Sequence, residues 1–192
     1  MIKIGITGGI GSGKSIVSKI LESMNYPVYY SDKEAKRTIR DNLEVRKQFI
    51  DLFGEELYDN DELNRSYLAN IIFNDKKALE KVNNIVHPHV RKDFDTFCET
   101  QNTYLVFNEA AIIFETGGDK QFDRVVLVTA DEKLRIERVI NRDGVKESDV
   151  RARINQQWSD DQKIALSDFV IKNNEKEFLI TQVEQMVKSL SN

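Results

Sequence analysis

The sequence predicts an α/β protein in which a parallel sheet is flanked by helices. Short apolar segments that favour strands alternate along the chain with longer segments of helical periodicity. The segments at 103–107 and 124–129 are apolar throughout rather than at every second residue, which is typical of parallel strands buried on both faces. A glycine-rich turn joins the first strand segment to the first helical segment. Together these observations favour strands connected by right-handed crossovers.

The first predicted elements are a strand, a helix and a second strand. Met1 to Thr7 is short and rich in β-branched residues, as strands are. The segment from about Lys14 to Met24 carries an apolar face at helical spacing. Pro27 to Tyr30 predicts the second strand, which Ser31 and Asp32 close.

A long polar region of helical character occupies residues 33 to about 101. Because it exceeds the length of a single crossover, we predict a helical insertion domain at 32–101. Pro88 interrupts the apolar periodicity of this region. Since proline lacks the backbone N–H that a helix interior needs, we expect one helix to end near His87 and the next to open at Pro88.

The C-terminal part returns to alternating strands and helices. We expect a helix at 131–141, a strand at 169–171 and an amphipathic helix at 175–190 with Phe178 facing inward. The charged segment between the first two of these elements is predicted to be helical in part and to form a lid. The predicted domains are therefore a core made of 1–31, 102–130 and 162–192, the insertion at 32–101 and the lid at 131–161.

Composition excludes several classes of protein. The 192 residues are 40% hydrophobic and 31% charged with a net charge of −4, so we expect an ordered protein without a broad nucleic-acid-binding face. The longest apolar run, Ala110 to Phe114, is too short to span a membrane. The residues after Met1 do not form the apolar segment of a secretory signal peptide. Cys98 is the only cysteine, which excludes an intrachain disulfide and a cysteine zinc site. We predict a soluble cytoplasmic protein without an obligate protein partner.

The glycine-rich turn matches the phosphate-binding pattern G-x-x-x-x-G-K-[ST]. Glycines let successive backbone N–H groups wrap a phosphate without Cβ clashes, and the helix that starts there directs its positive dipole end at the same anion. Lys14 can reach the β- and γ-phosphates, and the Ser15 hydroxyl can bind Mg²⁺. The sequence therefore predicts a nucleoside triphosphate site at Gly8, Gly9, Ile10, Gly11, Ser12, Gly13, Lys14, Ser15 and Ile16.

The phosphate loop alone does not select a reaction, because switch GTPases, motor ATPases and small-molecule kinases share it. The chain has no Asn-Lys-x-Asp motif for reading guanine, and none of its apolar strand segments ends in the Asp-Glu pair of strand-coupled ATPases. Glu109 is the nearest acidic residue and can hold Mg²⁺ through a water molecule; the alternative is a surface carboxylate at a strand end. What remains favours a kinase with an acceptor pocket and a lid.

Asp32 lies where the second predicted strand ends, and ligands of parallel sheets bind beyond the carboxyl ends of the strands. A carboxylate there can orient an attacking hydroxyl and accept its proton. The alternative is that Asp32 caps the helix that follows, a position that aspartate favours. Position alone leaves both interpretations open.

Two basic clusters are candidates for binding an anionic substrate. His87 and Arg91 form the first, and the alternative for them is a helix break with solvated side chains. In the second cluster, three side chains share one helix face, where like charges repel unless an anion lies between them. The segment 131–163 holds eight basic and eight acidic residues, so mixed ion pairs on a solvated face are the alternative to an arginine-bearing lid. The three side chains are Arg135, Arg138 and Arg142.

An ordered set of motifs over nearly the whole chain resembles the dephospho-coenzyme A kinase family. The phosphate loop alone is unspecific, whereas the ordered set is specific. The set comprises the opening Ile4 to Ser15, Asp32, the His87-Pro88-His89-Val90-Arg91 element, Ala111 to Glu115, Arg138 to Asp143 and the closing Ser167 to Asn174.

The resemblance implies a P-loop kinase core with a helical CoA-binding domain and a lid. The implied reaction is ATP-dependent phosphorylation of the ribose 3′-hydroxyl of dephospho-CoA, the final step of coenzyme A synthesis, with Mg²⁺ as the metal. By position, Asp32 is implied to be the base or the orienting carboxylate, and Lys14, Arg138 and Arg142 to act on the phosphates. The adenine of ATP is implied to lie near Asn173 and Asn174. The implied acceptor contacts are Asp32, His87, Arg91, Glu115 and Arg138.

The sequence departs from the family pattern at a few positions. Ile16 stands where the family often has threonine, which removes one hydroxyl contact to a phosphate, and Ala111 stands where a proline would fix a turn. Lys172 stands where a different polar residue is frequent. Two other functions stay open: a kinase for another small acceptor such as a nucleoside monophosphate, and a nucleotide-dependent switch or assembly ATPase that uses the insertion as a partner surface.

Overall fold

The chain alternates between strands and helices, with one long helical stretch after its second strand. The structure is a computed structural model that describes residues 1–59 and 62–190. In chain order the elements are β1 Ile2–Thr7, α1 Lys14–Ser23, β2 Val28–Tyr30, α2 Ser31–Asp41, α3 Leu43–Phe53, β3 Tyr58–Asp59, β4 Glu62–Leu63, α4 Arg65–Asn74, α5 Lys76–Glu99, β5 Leu105–Glu109, β6 Arg124–Thr129, α6 Glu132–Asp143, α7 Glu147–Asn155, α8 Asp160–Ile164, β7 Phe169–Lys172 and α9 Leu179–Leu190.

Two compact units make up the chain. The core unit comprises Met1–Tyr30 and Gln101–Asn192, and the helical unit comprises Ser31–Thr100. The phosphate loop, between β1 and α1, belongs to the core unit. Among the described residues, no helix combines the length and the apolar character that a membrane span requires.

The core unit is built on a five-stranded sheet in the order β2-β5-β1-β6-β7. Every neighbouring pair of strands is parallel, so the predicted α/β class is confirmed. Glu109 of β5 lies opposite Ile6 of β1 on one side and Tyr30 of β2 on the other. Because the strands are parallel, their carboxyl ends meet at one edge of the sheet, where the phosphate loop begins.

The strands of the sheet together provide most of the buried residues in the main apolar cluster of the core unit. Helices α1 and α9 add their apolar faces to the same cluster, which explains why both helices have apolar residues at helical spacing. Phe178, predicted to face inward, is 86% exposed, because α9 begins only at Leu179 and Phe178 precedes its first turn. The fully buried members include Ile4, Ile6, Val17, Leu21, Phe107, Val126, Val128, Ile171, Val183 and Met186.

The helical unit is organised around α5, on which α2, α3 and α4 pack. One face of α5 is buried over its whole length, and Cys98 is a packing residue on that face. β3 and β4 form a small antiparallel pair in which Tyr58 lies opposite Leu63. The buried residues of α5 are Ala78, Val82, Val86, Val90, Phe94 and Cys98.

The predicted helix break at Pro88 is wrong, because Pro88 lies inside the continuous helix α5. Proline removes the hydrogen bond that its N–H would donate to the carbonyl four residues earlier. Val86 and Val90, on either side of Pro88, are only 3% and 8% exposed. The packing of one continuous apolar face therefore offsets the missing hydrogen bond, since tertiary packing supplies most helix stability in proteins.

Candidate functional site

The phosphate loop needs glycine both for its backbone conformation and for close packing. Gly11 and Gly13 have φ angles of +77° and +97°, which L side chains rarely adopt. A Cβ at Gly11 would overlap the backbone of Arg135, and one at Gly13 would overlap the amide of Asn173. Helix α1 begins directly after Gly13 without a side-chain cap. The Ile16 and Val17 N–H groups donate to the Gly13 carbonyl, and the N–H groups ahead of them point out of the N-terminus of α1, the direction that a phosphate site requires.

Two polar side chains of the loop are buried. Lys14 is 8% exposed, and its Nζ donates a hydrogen bond of 2.8 Å to the Gly8 carbonyl. The Ser12 Oγ is buried and makes no hydrogen bond with any described residue. A buried hydroxyl without a partner is costly, and a phosphate oxygen would satisfy it. Ser15 and Ile16, by contrast, are exposed on the first turn of α1.

The apex of the loop is held by residues that follow β6. The Ile10 N–H donates to Gln157 Oε1 at 2.9 Å, and the Ile10 carbonyl accepts from Arg135 Nε at 2.9 Å. Arg135 is 6% exposed, and its Nη1 lies 3.2 Å from Asp160 Oδ1. The other oxygen of Asp160 accepts a hydrogen bond from Thr129. Sequence reasoning missed Gln157 and Asp160, because no local pattern marks partners so distant along the chain.

The other two arginines of α6 have different partners from Arg135 and from each other. Arg138 Nη2 donates to the Asn173 carbonyl at 3.0 Å and to Glu175 Oε1 at 2.9 Å. Arg138 Nη1 is buried and makes no hydrogen bond with any described residue. Arg142 forms two hydrogen bonds to Asp143, of 2.7 and 2.9 Å, and this pairing lowers the pKa of the Asp143 carboxyl. The predicted lid role of both arginines stays a prediction.

The two asparagines after β7 connect three parts of the core unit. Asn173 is 4% exposed, and its Nδ2 donates a hydrogen bond of 2.8 Å to the Ser12 carbonyl in the phosphate loop. Asn174 exchanges two hydrogen bonds with Asp131, of 2.8 and 2.9 Å, just before α6. These side chains therefore fix the end of β7 to the loop and to the start of α6. Their predicted position beside adenine stays a prediction.

Two acidic side chains, Glu22 and Glu109, lie near the Tyr30 hydroxyl. Glu109 ends β5, next to Tyr30 in the sheet register. Burial, a hydrogen bond to Glu22 and the charges of Glu22 and Glu109 all raise the pKa of the Tyr30 hydroxyl. Within residues 1–59 and 62–190, no group of three or more His, Cys, Asp or Glu side chains is arranged to hold a metal ion.

Glu115 belongs to a buried ion pair that the sequence did not reveal. Its Oε1 lies 2.6 Å from the Nζ of Lys163, a side chain with no exposed surface. The same oxygen accepts the Trp158 backbone N–H at 3.1 Å. Glu115 Oε2 is buried and makes no hydrogen bond with any described residue. The acceptor contact predicted for Glu115 stays a prediction.

In the helical unit, the predicted acceptor residues Asp32, His87 and Arg91 interact. Asp32 is the second residue of α2, inside the first turn, so the interpretation of Asp32 as a helix cap is wrong. His87 and Arg91 are one turn apart on α5, against which α2 packs. Burial lowers the pKa of His87, the charge of Arg91 lowers it further, and the charge of Asp32 opposes both. The structure thus brings all three residues into electrostatic range.

The helical unit also has an open cavity of about 620 Å³ among α2, α3 and α5. His89 and Lys92 of α5 line it, together with Arg37 of α2. Arg37 already has acidic partners, with Glu34 at 2.7 Å and Asp93 at 3.2 Å. The cavity is therefore polar, with basic and acidic groups on the same walls.

A parallel sheet with a phosphate loop between its central strand and the next helix defines the class of P-loop nucleotide-binding proteins. Shikimate kinase from Acinetobacter baumannii shares this fold, with a TM-score of 0.54 and 15% identity over 100% of this chain and 93% of that one. A crystal structure from Thermus thermophilus matches with a TM-score of 0.84 and 31% identity, covering 99% of this chain and 96% of that one.

Within this class, residues 2–177 match the family model of dephospho-CoA kinase. The dephospho-CoA kinase of Bacteroides fragilis is 39% identical over 190 residues, which are 98% of this chain and 93% of that protein. The chain therefore belongs to the dephospho-CoA kinase family. The predicted resemblance and the predicted kinase class are confirmed.

Proposed function

We propose that this chain transfers the γ-phosphoryl group of ATP to the ribose 3′-hydroxyl of dephospho-CoA, forming CoA and ADP. The observation that carries the proposal is the phosphate loop, whose buried Lys14 and unsatisfied Ser12 hydroxyl suit a triphosphate, in a chain of this family. The reaction is the final step of coenzyme A synthesis, and we assign it to the cytoplasm. The proposal involves no nucleic acid, no membrane and no obligate protein partner.

At the nucleotide, the N–H groups at the start of α1 hold phosphate oxygens, and Lys14 neutralises charge that spreads over the transferred group. Arg138 and Arg142 are proposed to act on the same charge from α6. The buried Nη1 of Arg138 supports this role, because it is a donor that no described residue occupies. Asn173 and Asn174 are proposed to lie beside adenine, with their hydrogen bonds fixing that strand end.

The chain offers oxygen ligands that suit Mg²⁺, a cation that prefers few protein ligands and several waters. The Ser15 hydroxyl is exposed at the start of α1, and Glu109 adds negative charge at the neighbouring sheet edge. We propose that Ser15 binds the ion directly and Glu109 through a water molecule. When bound, Mg²⁺ neutralises charge on the phosphates of ATP.

At the acceptor, Asp32 is proposed to orient the 3′-hydroxyl and to accept its proton. Burial and the charge of Arg91 lower the pKa of His87, which favours the neutral imidazole as a hydrogen-bonding group, while Arg91 supplies positive charge. Glu115 can contact the acceptor only through Oε2, since Lys163 and the Trp158 N–H hold Oε1.

The test incubates the purified protein with ATP, Mg²⁺ and dephospho-CoA and follows CoA by mass spectrometry and ADP by a coupled assay. We expect one CoA for each ADP, and no phosphorylated product when AMP or another nucleoside monophosphate replaces dephospho-CoA. A phosphorylated nucleoside monophosphate without CoA would identify a different kinase. Formation of ADP without any phosphorylated acceptor would contradict the proposal altogether.

A further inference from the structure

Ile10, at the apex of the phosphate loop, is held at three points by residues of the 131–161 segment. Its N–H donates to Gln157 Oε1 and its carbonyl accepts from Arg135 Nε, both at 2.9 Å. Its side chain packs in an apolar cluster that includes Val139 of α6 and Val150 of α7. None of these contacts has a part in the binding roles proposed above.

These contacts restrict the backbone conformations of a glycine-rich loop. Ile10 lies between Gly9 and Gly11, and glycine loses more backbone entropy on ordering than any other residue. The N–H and the carbonyl of Ile10 belong to two consecutive peptide planes, and each of them makes a hydrogen bond. Neither plane can rotate without breaking its hydrogen bond. The loop is therefore shaped before a nucleotide arrives, which is the condition for electrostatic preorganisation.

Gln157 is itself held by a buried ion pair. The N–H of the next residue, Trp158, donates to Glu115 Oε1 at 3.1 Å. That oxygen lies 2.6 Å from Lys163 Nζ, which has no exposed surface. The backbone after Gln157 then enters α8 through a capping box formed by Ser159 and Gln162. Gln157 thus lies between the end of α7 and a fixed point in the interior of the core unit.

We propose that Gln157 is a positioning residue for phosphoryl transfer, which holds the Ile10 N–H and so keeps the apex of the phosphate loop in its productive shape. The buried pair of Lys163 and Glu115 keeps Gln157 in place. The inference rests on the proposed kinase reaction for its kinetic test. The Ile10 N–H donates to Gln157 and therefore does not donate to the nucleotide. Nucleotide affinity then comes from Lys14 and the start of α1, whereas the Gln157 amide affects the rate of phosphoryl transfer.

The kinetic test replaces the amide while keeping the length of the side chain. In Gln157→Met we expect kcat to fall about tenfold, while KM for ATP changes by less than about threefold, since small misplacements of reacting groups slow a reaction strongly. The matched control is Gln156→Met, which alters the exposed neighbour and leaves both constants as in the wild type. A kcat for Gln157→Met equal to that of the control would overturn the proposal.

A second readout does not depend on the reaction. We expect hydrogen exchange of the Ile10 amide, followed by NMR, to accelerate at least tenfold in Gln157→Met and to stay slow in Gln156→Met. Gln157→Glu keeps an acceptor at the same reach and restores slow exchange. Unchanged exchange in Gln157→Met would overturn the proposal, even if kcat falls. If the wild type forms no CoA, the proposed function fails, and the exchange rates still decide the role of Gln157.

Discussion

The core unit and the helical unit hold their candidate functional residues in different ways. The phosphate loop is fixed by side chains that are buried and far away along the chain, such as Asn173 and Arg135. Asp32 lies on α2, a helix without a single buried residue, and His87 is only partly buried. Substitutions around the loop should therefore change both rate and stability, whereas substitutions at the acceptor residues should change rate with little effect on stability.

Substitution of Lys14 is the strongest test of how the phosphate loop contributes to the reaction. We expect Lys14→Met to lower kcat about 10³-fold, because it removes a buried cation that stabilises the charge of the transferred group. CoA formation under saturating ATP measures the loss, and thermal unfolding checks that the variant is folded. Lys19→Met is the matched control, since Lys19 is exposed on the same helix. Equal losses in both variants would show that α1, rather than the Lys14 ammonium, was perturbed.

Substitution of Lys163 tests whether the buried ion pair that supports the loop also stabilises the fold. We expect Lys163→Met to lower the free energy of unfolding by about 3 kcal/mol, because it leaves the Glu115 carboxylate buried without its counter-charge. Urea unfolding followed by circular dichroism measures the change.

The double variant Lys163→Met with Glu115→Leu is the control for this prediction. Replacing both members of a buried ion pair by apolar residues is often neutral, so we expect most of the lost stability to return. A double variant as unstable as Lys163→Met would show that packing volume, and not charge, is what the pair contributes.

The sequence predicted the elements whose signals are local. β6 is predicted at its observed limits, Arg124–Thr129, because a short continuous run of apolar and β-branched residues favours a strand buried on both faces. The break at Pro88 was wrong because it was inferred from local propensity, and the inward Phe178 was wrong because helical periodicity was extended back to residue 175. In α5, packing on both sides of Pro88 outweighed the lost hydrogen bond, and α9 began one residue after Phe178.

For the candidate site, the residues in the phosphate motif could be read directly, whereas those that support it could not. Gln157 is 147 residues from Ile10 along the chain, and no sequence spacing connects them. Lys163 and Glu115 likewise come from separate elements, and a lysine in a charged segment is indistinguishable from a solvated one. His87 and Arg91 were predicted as a cluster, but the predicted break at Pro88 placed them on two helices. The continuous helix α5 makes them neighbours, because residues four apart on one helix lie on the same face.

Asp32 tests the acceptor side of the comparison. We expect Asp32→Asn to lower kcat about 10²-fold, because an amide cannot accept the proton of the acceptor hydroxyl. Affinity for ATP, measured by calorimetry, and the free energy of unfolding should stay at the wild-type values, since α2 has no buried residue. Asp51→Asn, an exposed carboxylate on α3, is the matched control. A large loss of stability in Asp32→Asn would remove the distinction between the two units.

His87 gives the smallest expected effect, a change of stability with pH. Burial and the charge of Arg91 lower the pKa of His87 in the folded protein below 6.5, so the unfolded chain binds the proton more readily. The free energy of unfolding should therefore rise with pH up to 6.5 and fall as pH drops from 6.5 through the folded pKa. In His87→Gln this contribution disappears, and urea unfolding at a series of pH values measures the difference from the wild type.

Asp32→Asn sharpens this last prediction, because the Asp32 charge is the one that favours protonated His87. Its removal should lower the pKa of His87 further, which an NMR titration of the imidazole C–H resonances measures directly. The pH interval over which stability is lost should then extend to lower values. An unchanged pKa of His87 in Asp32→Asn would mean that the two side chains do not interact in solution, and the acceptor residues would then lack the common electrostatic environment inferred for them.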